Sequence, residues 1–480
     1  MPNITPSKTI AIIGGGFCGT MAAVHLLNAD LGRSSKIVLI NRGHLGSYTH
    51  AERPSLARGL AYGTNSPHHL LNVPAARMSA FEDRPDDFLD YLHAHQIQAD
   101  AHSFVARHHY GAYLEKVLRD AVARANTTFQ VQHETVMTIN VATQQTYSLS
   151  FANGQTLQAD RVVLALGNFL PAHPAFVNAT LAASQCYIRD PWQPGAFDSV
   201  DVKKPILLVG TGLTMCDVLT SLKQRADGVN IVPQIHALSR RGLMPEAHRP
   251  HLNAAPNLAN ATPPNIATMP TTRAYLRAVR AQVKKIAAQG GDWRDVVASL
   301  RPITPMLWQA LPFIEKKRFI RHLKPYWESH RHRAAPTTLK LVAGCAERGE
   351  IASSASRILG FQFCPGDATL IDIIHQPRGE AAPETISVAA IINCTGPSTN
   401  ISAEPLLANL ANAGLIRQDA LQLGIDVTAN YRVFNSDGDA KHHIYYVGPL
   451  LKANHWEATA VPELRLHVAA CVAACIASLQ

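Results

Sequence analysis

The 480 residues are 47% hydrophobic and 16% charged, which excludes a disordered chain and allows two or three domains around real cores. No stretch reaches the roughly 18–20 uninterrupted apolar residues of a membrane helix, and Met1–Lys8 is too short and polar for a secretory signal, so a cytoplasmic protein is expected. The net charge is +9, and residues 271–333 hold 14 Lys and Arg against 4 Asp and Glu, so one segment carries the whole surplus.

Thr9–Ile13 (TIAII) is short, apolar and rich in β-branched residues, which predicts a buried strand. It enters Gly14-Gly15-Gly16-Phe17-Cys18-Gly19; Thr20–Asn28 then has helical spacing, and Lys36–Ile40 (KIVLI) predicts a second buried strand. This strand–turn–helix–strand unit is the context a dinucleotide-binding Gly-x-Gly-x-x-Gly needs. In it, Gly14 makes the tight turn, Gly16 lets the backbone approach a pyrophosphate, and Gly19 lets helix and strand pack closely. The helix start, with Phe17 and Cys18, offers N–H groups and a positive dipole end to the anion. The second strand ends at Asn41-Arg42 where an acid for the ribose hydroxyls is usual, so Asn41 is expected as a neutral hydrogen-bonding partner. A helix N-terminus would lower the Cys18 pKa, but packing is the role expected for it.

Arg161–Leu166 predicts a strand ending at Gly167, and the Pro-rich stretch Pro171–Pro194 a surface linker. The pattern restarts at Pro205: strand Ile206–Val209, turn Gly210-Thr211-Gly212-Leu213, helix Thr214–Gln224, strand Asn230–Leu238. This second turn keeps two glycines and lacks the third. Asp217 lies early in the helix, where a carboxylate suits the dipole. The next strand ends in Ser239-Arg240-Arg241, and an arginine pair suits a 2′-phosphate, which predicts NADPH over NADH. Pro245–Pro270 reads as a loop, Thr271–Arg333 as basic helices, Leu339–Val342, Ile386–Asn393 and His443–Val447 as strands, and Pro462–Leu479 as a closing helix. The fold class is α/β, with two doubly wound Rossmann-like domains and a basic helical insertion in the second.

None of the eight cysteines forms a Cys-x-x-Cys pair, which removes the flavin disulfide reductases that need a dithiol beside the cofactor. His322, His330 and His332 fit no standard zinc spacing, so no metal is expected, and neither nucleic acid nor membrane is expected as a partner. His69 and His455 are candidate acid/base groups and Trp192 and Trp456 candidate walls of a site, each against a structural alternative.

Several strings resemble one family. They are Gly59–Gly63 (GLAYG), His69–Pro74 (HLLNVP), Arg107–Tyr113 (RHHYGAY), Asp190–Gly195 (DPWQPG), Arg318–Trp327 (RFIRHLKPYW), His330–Arg333 (HRHR), Asn393–Pro397 (NCTGP) and Trp456–Leu464 (WEATAVPEL). Across nearly the full chain they are similar to the bacterial FAD/NAD(P)-binding proteins, two-dinucleotide-binding-domain flavoproteins near the class B flavin monooxygenases and amino-acid N-hydroxylases. The resemblance implies a discontinuous FAD domain, residues 1–200 and 386–480, around an NAD(P) domain at 201–385 with its insertion at about 271–333. It implies that the strands ending at Gly167 and Gly448 face the flavin. It also implies that the helix beginning at Ala460-Val461, with Pro462 as first helical residue, aims its N-terminus at the flavin pyrimidine. Relatives carry Gly-Asp where this chain has Gly448-Pro449, so Asn72 is the candidate for the ribityl contact. The expected activity is hydride transfer from NADPH to FAD, then O2-dependent oxygenation of a small polar or anionic substrate, an amino-acid amine for instance. The alternatives are a reductase or dehydrogenase passing electrons to a partner, and a redox sensor that binds FAD and NADPH without turnover.

Overall fold

The structure is a computed structural model that describes residues 8–41, 56–143, 146–249, 269–367 and 369–479. Arg42 and most of the expected loop Pro245–Pro270 lie outside the described residues.

β1 (Thr9–Ile13), α1 (Phe17–Asn28) and β2 (Lys36–Asn41) follow one another as the sequence predicts, with the helix starting three residues earlier than its apolar spacing shows. The chain continues through α2 (Gly59–Tyr62), α3 (Asp87–Ala94), α4 (Arg107–Arg124) and β3 (Thr128–His133). A meander of β4 (Val136–Val141), β5 (Tyr147–Phe151) and β6 (Thr156–Ala159) forms a separate antiparallel sheet, and β7 (Arg161–Leu164) returns to the first. Then come α5 (Ala179–Ala182), β8 (Tyr187–Ile188), β9 (Ile206–Val209), α6 (Leu213–Gly228) and β10 (Ile235–Ser239).

Residues 272–331 are helical as expected: α7 (Thr272–Ala287), α8 (Trp293–Leu300), α9 (Thr304–Ala310), α10 (Phe313–His322) and α11 (Lys324–Arg331). After them the expected strand Leu339–Val342 is instead part of a helix, α12 (Pro336–Glu347). Pro336 stands in its first turn, and Leu339, Val342 and Cys345 recur every three residues to face the second core. β11 (Ile351–Phe363), β12 (Ile371–Pro377), β13 (Glu384–Val388) and β14 (Ala390–Asn393) complete the second sheet. The single strand expected over Ile386–Asn393 is therefore two, β13 and β14, broken at Ala389. α13 (Pro405–Asn412), β15 (Ile444–Tyr446) and α14 (Val461–Ala477) close the chain.

Two sheets carry the architecture. The first is parallel, in the order β15-β7-β1-β2-β3, so a strand near residue 445 pairs beside strands from the first third. Its strands read as unbroken apolar runs because helices cover a parallel sheet on both faces; α1 packs against both α4 and α14. The second sheet runs β13-β12-β11-β10-β9-β14-β8. β11 starts parallel to β10 over Ile351–Ala355 and ends antiparallel to β12, which turns a doubly wound core into a mixed sheet. Strands from either side of the expected segment 201–385, Tyr187–Ile188 and Ala390–Asn393, pair into this second sheet. The Pro-rich linker is thus anchored: Tyr187–Ile188 docks on β14 as an edge strand.

Candidate functional site

Both glycine turns sit at the carboxyl edge of their sheets. Ile13, Leu164 and Tyr446 share one register across β1, β7 and β15, so Gly14, Gly167 and Gly448 leave the first sheet at the same edge. Open α/β sheets bind ligands outside this edge.

At the first turn, Gly14 has φ +112, and a side chain there would put Cβ 2.2 Å from the Ala165 carbonyl oxygen. A Cβ on Gly19 would lie 1.7 Å from the Gly14 carbonyl oxygen. On Gly16 it would meet only the Cα of Gly59, at 3.6 Å, so that face of the turn is open. Gly16 is the N-cap of α1 and no side chain caps the helix, which leaves the N–H groups of its first turn for an anion. Asn41, at the end of β2, lies against Gly15, where a Cβ would be 2.9 Å from its amide carbon. These features suit a dinucleotide pyrophosphate with its ribose toward Asn41. Cys18 is a packing residue of the core, the role favoured for it: burial pushes its thiol up to about 12, against the lowering a helix N-terminus alone would give.

The second turn repeats the geometry. Gly210 also has φ +112, with a Cβ that would lie 2.6 Å from the Cys394 carbonyl oxygen, and Gly212 is the N-cap of α6 with no side-chain cap. Met215 fills the place of the third glycine as a core residue. Leu213 opens the helix, and the Thr211 hydroxyl bridges Ser239 Oγ at 2.8 Å, which ties the turn to the end of β10. Arg240 is exposed beyond that end. Arg241 is partly engaged: its Nη2 donates to the Arg321 carbonyl at 3.0 Å and its guanidinium lies 5.4 Å from the Tyr326 ring centre.

A polar cluster joins the start of α4 to α6. Arg107 at the start of α4 donates Nη2 to Asp217 Oδ2 of α6 at 2.8 Å and Nε to the Leu70 carbonyl at 3.0 Å. Asp217 is 6% exposed; burial raises its carboxyl pKa, and Arg107 and His69 oppose that rise. Asp217 lies beyond the first turn of α6, where its partner is the Arg107 guanidinium rather than the helix dipole expected for it. His69 bridges Thr64 Oγ1 at 2.7 Å and Ser221 Oγ at 2.9 Å, and its ring meets Trp192 edge-on at 5.8 Å. Burial lowers its pKa, which favours the neutral imidazole. His69 and Trp192 are thus brought together. His455 is elsewhere, 4.5 Å from the His467 ring and stacked on Tyr431 at 6.1 Å.

Asn72 offers its carbonyl to His248 Nε2 at 3.0 Å, which holds this segment to the stretch after β10. Gly448 has φ +145, and the Tyr446 hydroxyl beneath it accepts from the Leu450 N–H at 2.9 Å. Ala460 caps α14 and Val461 is its first residue, so Pro462 is second, one place later than expected. No side chain caps that helix either, and Glu463 in its first turn is gripped by Arg301 and by Arg331, the latter at 3.1 Å. The helical segment therefore fastens onto the start of the C-terminal helix. Arg331 also reaches Glu457 at 2.9 Å, and Trp327 Nε1 donates to the same carboxylate at 2.9 Å. Sequence reasoning missed Arg107, Ser221, Glu457 and Glu463 as partners. The pairs join residues 110 to 162 apart, and no local pattern announces them.

Among the described residues no helix is long and apolar enough to cross a membrane, and no group of three or more His, Cys, Asp and Glu side chains could hold a metal ion. Residues 11–169 match the family model described as FAD-NAD(P)-binding. No curated protein matches the chain by sequence. Solved structures match its fold. An ornithine hydroxylase from Pseudomonas aeruginosa is 13% identical, with a TM-score of 0.64 over 99% of this chain and 100% of its own. L-lysine 6-monooxygenase from Pseudomonas syringae is 16% identical, with a TM-score of 0.64 over 99% and 100%. The bacillithiol disulfide reductase of Staphylococcus aureus is 10% identical, with a TM-score of 0.54 over 99% and 100%. Residues 11–169 thus resemble an FAD-NAD(P)-binding domain, and the whole chain shares the two-dinucleotide-binding fold of these solved structures.

Proposed function

We propose that the protein is an FAD-dependent, NADPH-using monooxygenase acting on a small polar or anionic substrate. The observation that carries this reading is the pair of uncapped helix N-termini, at Gly16 and Gly212, each at the carboxyl edge of its own parallel strands. Two such sites in one chain suit two dinucleotides. When bound, FAD would supply hydride acceptance and reaction with O2. The chain's own residues bind and orient. The α1 N-terminus would hold the FAD pyrophosphate and Asn41 the adenosine ribose. The α6 N-terminus would hold the NADPH pyrophosphate, with Arg240 as the freer of two arginines for the 2′-phosphate. The start of α14, at Ala460-Val461, would present its positive end to the flavin ring.

Two observations favour oxygenation over thiol chemistry. All eight cysteines are free, and six of them are buried. The whole-chain likeness includes a Kutzneria ornithine N-hydroxylase whose structure holds reduced FAD, NADP+ and L-ornithine, at 14% identity and a TM-score of 0.59. The test is direct. FAD-loaded protein mixed with NADPH without oxygen is expected to bleach; persistence of the oxidised flavin spectrum refutes NADPH use. On admission of air with a matching substrate, NADPH consumption should exceed hydrogen peroxide release. Peroxide equal to NADPH consumed with every amine and acid offered would move the protein to the reductases.

A further inference from the structure

The start of α14 lies at the same edge of the first sheet as the first glycine turn. Arg161, the first residue of β7, donates its Nε to Ser478 Oγ at 2.8 Å, just past the last residue of α14, so that helix ends at the amino edge of the sheet. Its 17 residues span about 25 Å, which places its first turn back at the carboxyl edge, where Gly14, Gly167 and Gly448 leave. α14 packs on α1 and runs in the same direction, so two helix starts without side-chain caps face one space.

The second of those starts carries a charge that the first lacks. α1 has no acidic residue in its first turn, whereas α14 has Glu463, about 4.5 Å along the helix axis from the cap Ala460. That carboxylate is answered from the helical segment. Arg301 Nε and Arg331 Nη2 both take its Oε1, the latter at 3.1 Å, and Oε2 is buried without a hydrogen-bond partner. Arg331 Nε also lies 2.9 Å from Glu457, whose other oxygen accepts from Trp327 Nε1 at 2.9 Å. Trp308 Nε1 donates to the Ala453 carbonyl at 2.7 Å, so neutral bonds also fix the segment to the chain ahead of α14. The Arg331 and Glu463 side chains are 12% and 13% exposed, so solvent and salt screen them far less than a surface pair. A charge held close to a bound redox ring biases its electron affinity. Reduction of a flavin by two electrons and one proton adds a negative charge, which a nearby carboxylate opposes and a guanidinium favours.

We propose that Glu463 and Arg331 set the reduction potential of the flavin, Glu463 lowering it and Arg331 restoring it. This rests on the reading of the protein as an FAD enzyme with the flavin ring at the start of α14. Arg331 acts through Glu463 and is a positioning residue. The helical segment thereby gains a part in the chemistry, because it neutralises a carboxylate that works against hydride acceptance.

The test is the reduction potential of the FAD-loaded protein, measured without oxygen by dithionite reduction against a reference dye of known potential. At a fixed potential, Arg331→Met should lower the ratio of reduced to oxidised flavin at least fivefold, and Glu463→Gln should raise it at least fivefold, about 20 mV each way for a two-electron couple. The double variant should return toward the parent. Arg331→Lys, which keeps the charge, and Arg273→Gln, at an exposed arginine of α7, should leave the potential unchanged. A distorted fold moves both single variants the same way, whereas charge moves them apart. Smaller shifts, shifts of one sign, or a double variant no nearer the parent than the single ones overturn the tuning. If Arg331→Met retains no flavin, Glu463→Gln decides alone: a rise supports the tuning and its absence overturns it. NADPH takes no part in the measurement. Opposed shifts in a protein that NADPH does not bleach count against the proposed activity alone, and equal potentials in a protein that oxygenates count against the tuning alone.

Discussion

Replacing Arg107 by Met tests how the two domains are joined. Its guanidinium and the Asp217 carboxylate are 13% and 9% exposed and 2.8 Å apart. A buried pair gains little over apolar packing, because desolvation offsets the attraction, but breaking one side strands the other charge at about 3–5 kcal/mol. Asp217 already shows that balance: burial raises its pKa in spite of Arg107. Without Arg107 the pKa rises further, and the carboxyl can escape its penalty by taking a proton. A carboxyl with a raised folded pKa stabilises the fold below its unfolded value, about 3.9, and that contribution is lost as pH rises through the folded value. The Arg107→Met deficit should therefore be largest at pH 8 and clearly smaller at pH 5. Adding Asp217→Leu should restore most of the loss. Urea unfolding followed by tryptophan fluorescence, at both pH values, gives the four corners of the cycle. Costs that simply add, or a deficit identical at the two pH values, would refute the reasoning.

Gly19→Ala forces a Cβ into the Gly14 carbonyl and should yield protein without retained flavin, read from the ratio of flavin to protein absorbance. Gly16→Ala meets only an ordinary contact in the protein, so it should fold with the thermal midpoint of flavin-free parent and still hold less FAD. Arg240→Ala should raise the KM for NADPH about tenfold or more and leave NADH unchanged, given about 1.5–3 kcal/mol for a charged hydrogen bond; equal effects on both count against the 2′-phosphate role. His467 is held at about 4, by burial first and His455 next, and its Nδ1 meets the Tyr431 hydroxyl at 3.0 Å. Because its folded pKa is depressed, the unfolded chain takes the proton first, and stability falls as pH drops from about 6.5 toward 4 by at most about 3 kcal/mol. His467→Gln should flatten that part of the acid unfolding curve.

Much of the fold was legible because parallel strands announce themselves. TIAII and ILLV are covered on both faces, and each runs straight into a glycine turn. The misreadings share a cause. Leu339–Val342 was too short an apolar run to distinguish strand from helix, and only Pro336 ahead of it and Cys345 beyond it set the helical period. β11 escaped because much of its length faces solvent: Ala352, Ser353 and Ser354 are consecutively exposed, so no apolar alternation survives. The glycine turns of the site were readable for the same local reason as their strands. The Arg107–Asp217 pair and the Glu463 grip were not, since each joins residues whose nearness only the finished fold creates.

The order of the first sheet has a consequence for biosynthesis. β15 pairs with β7, and α14 packs on α1, so the first sheet and the helix layer over it stay open until some 446 to 477 residues have been made. Chains emerge N-terminus first, and domains fold as units. The strands of the second sheet, which end at Asn393, are therefore all available while the first unit still lacks its edge. The unit begun first is finished last, and a truncation within the final helix would leave the helix layer over the first sheet incomplete while every strand of the second sheet is still present.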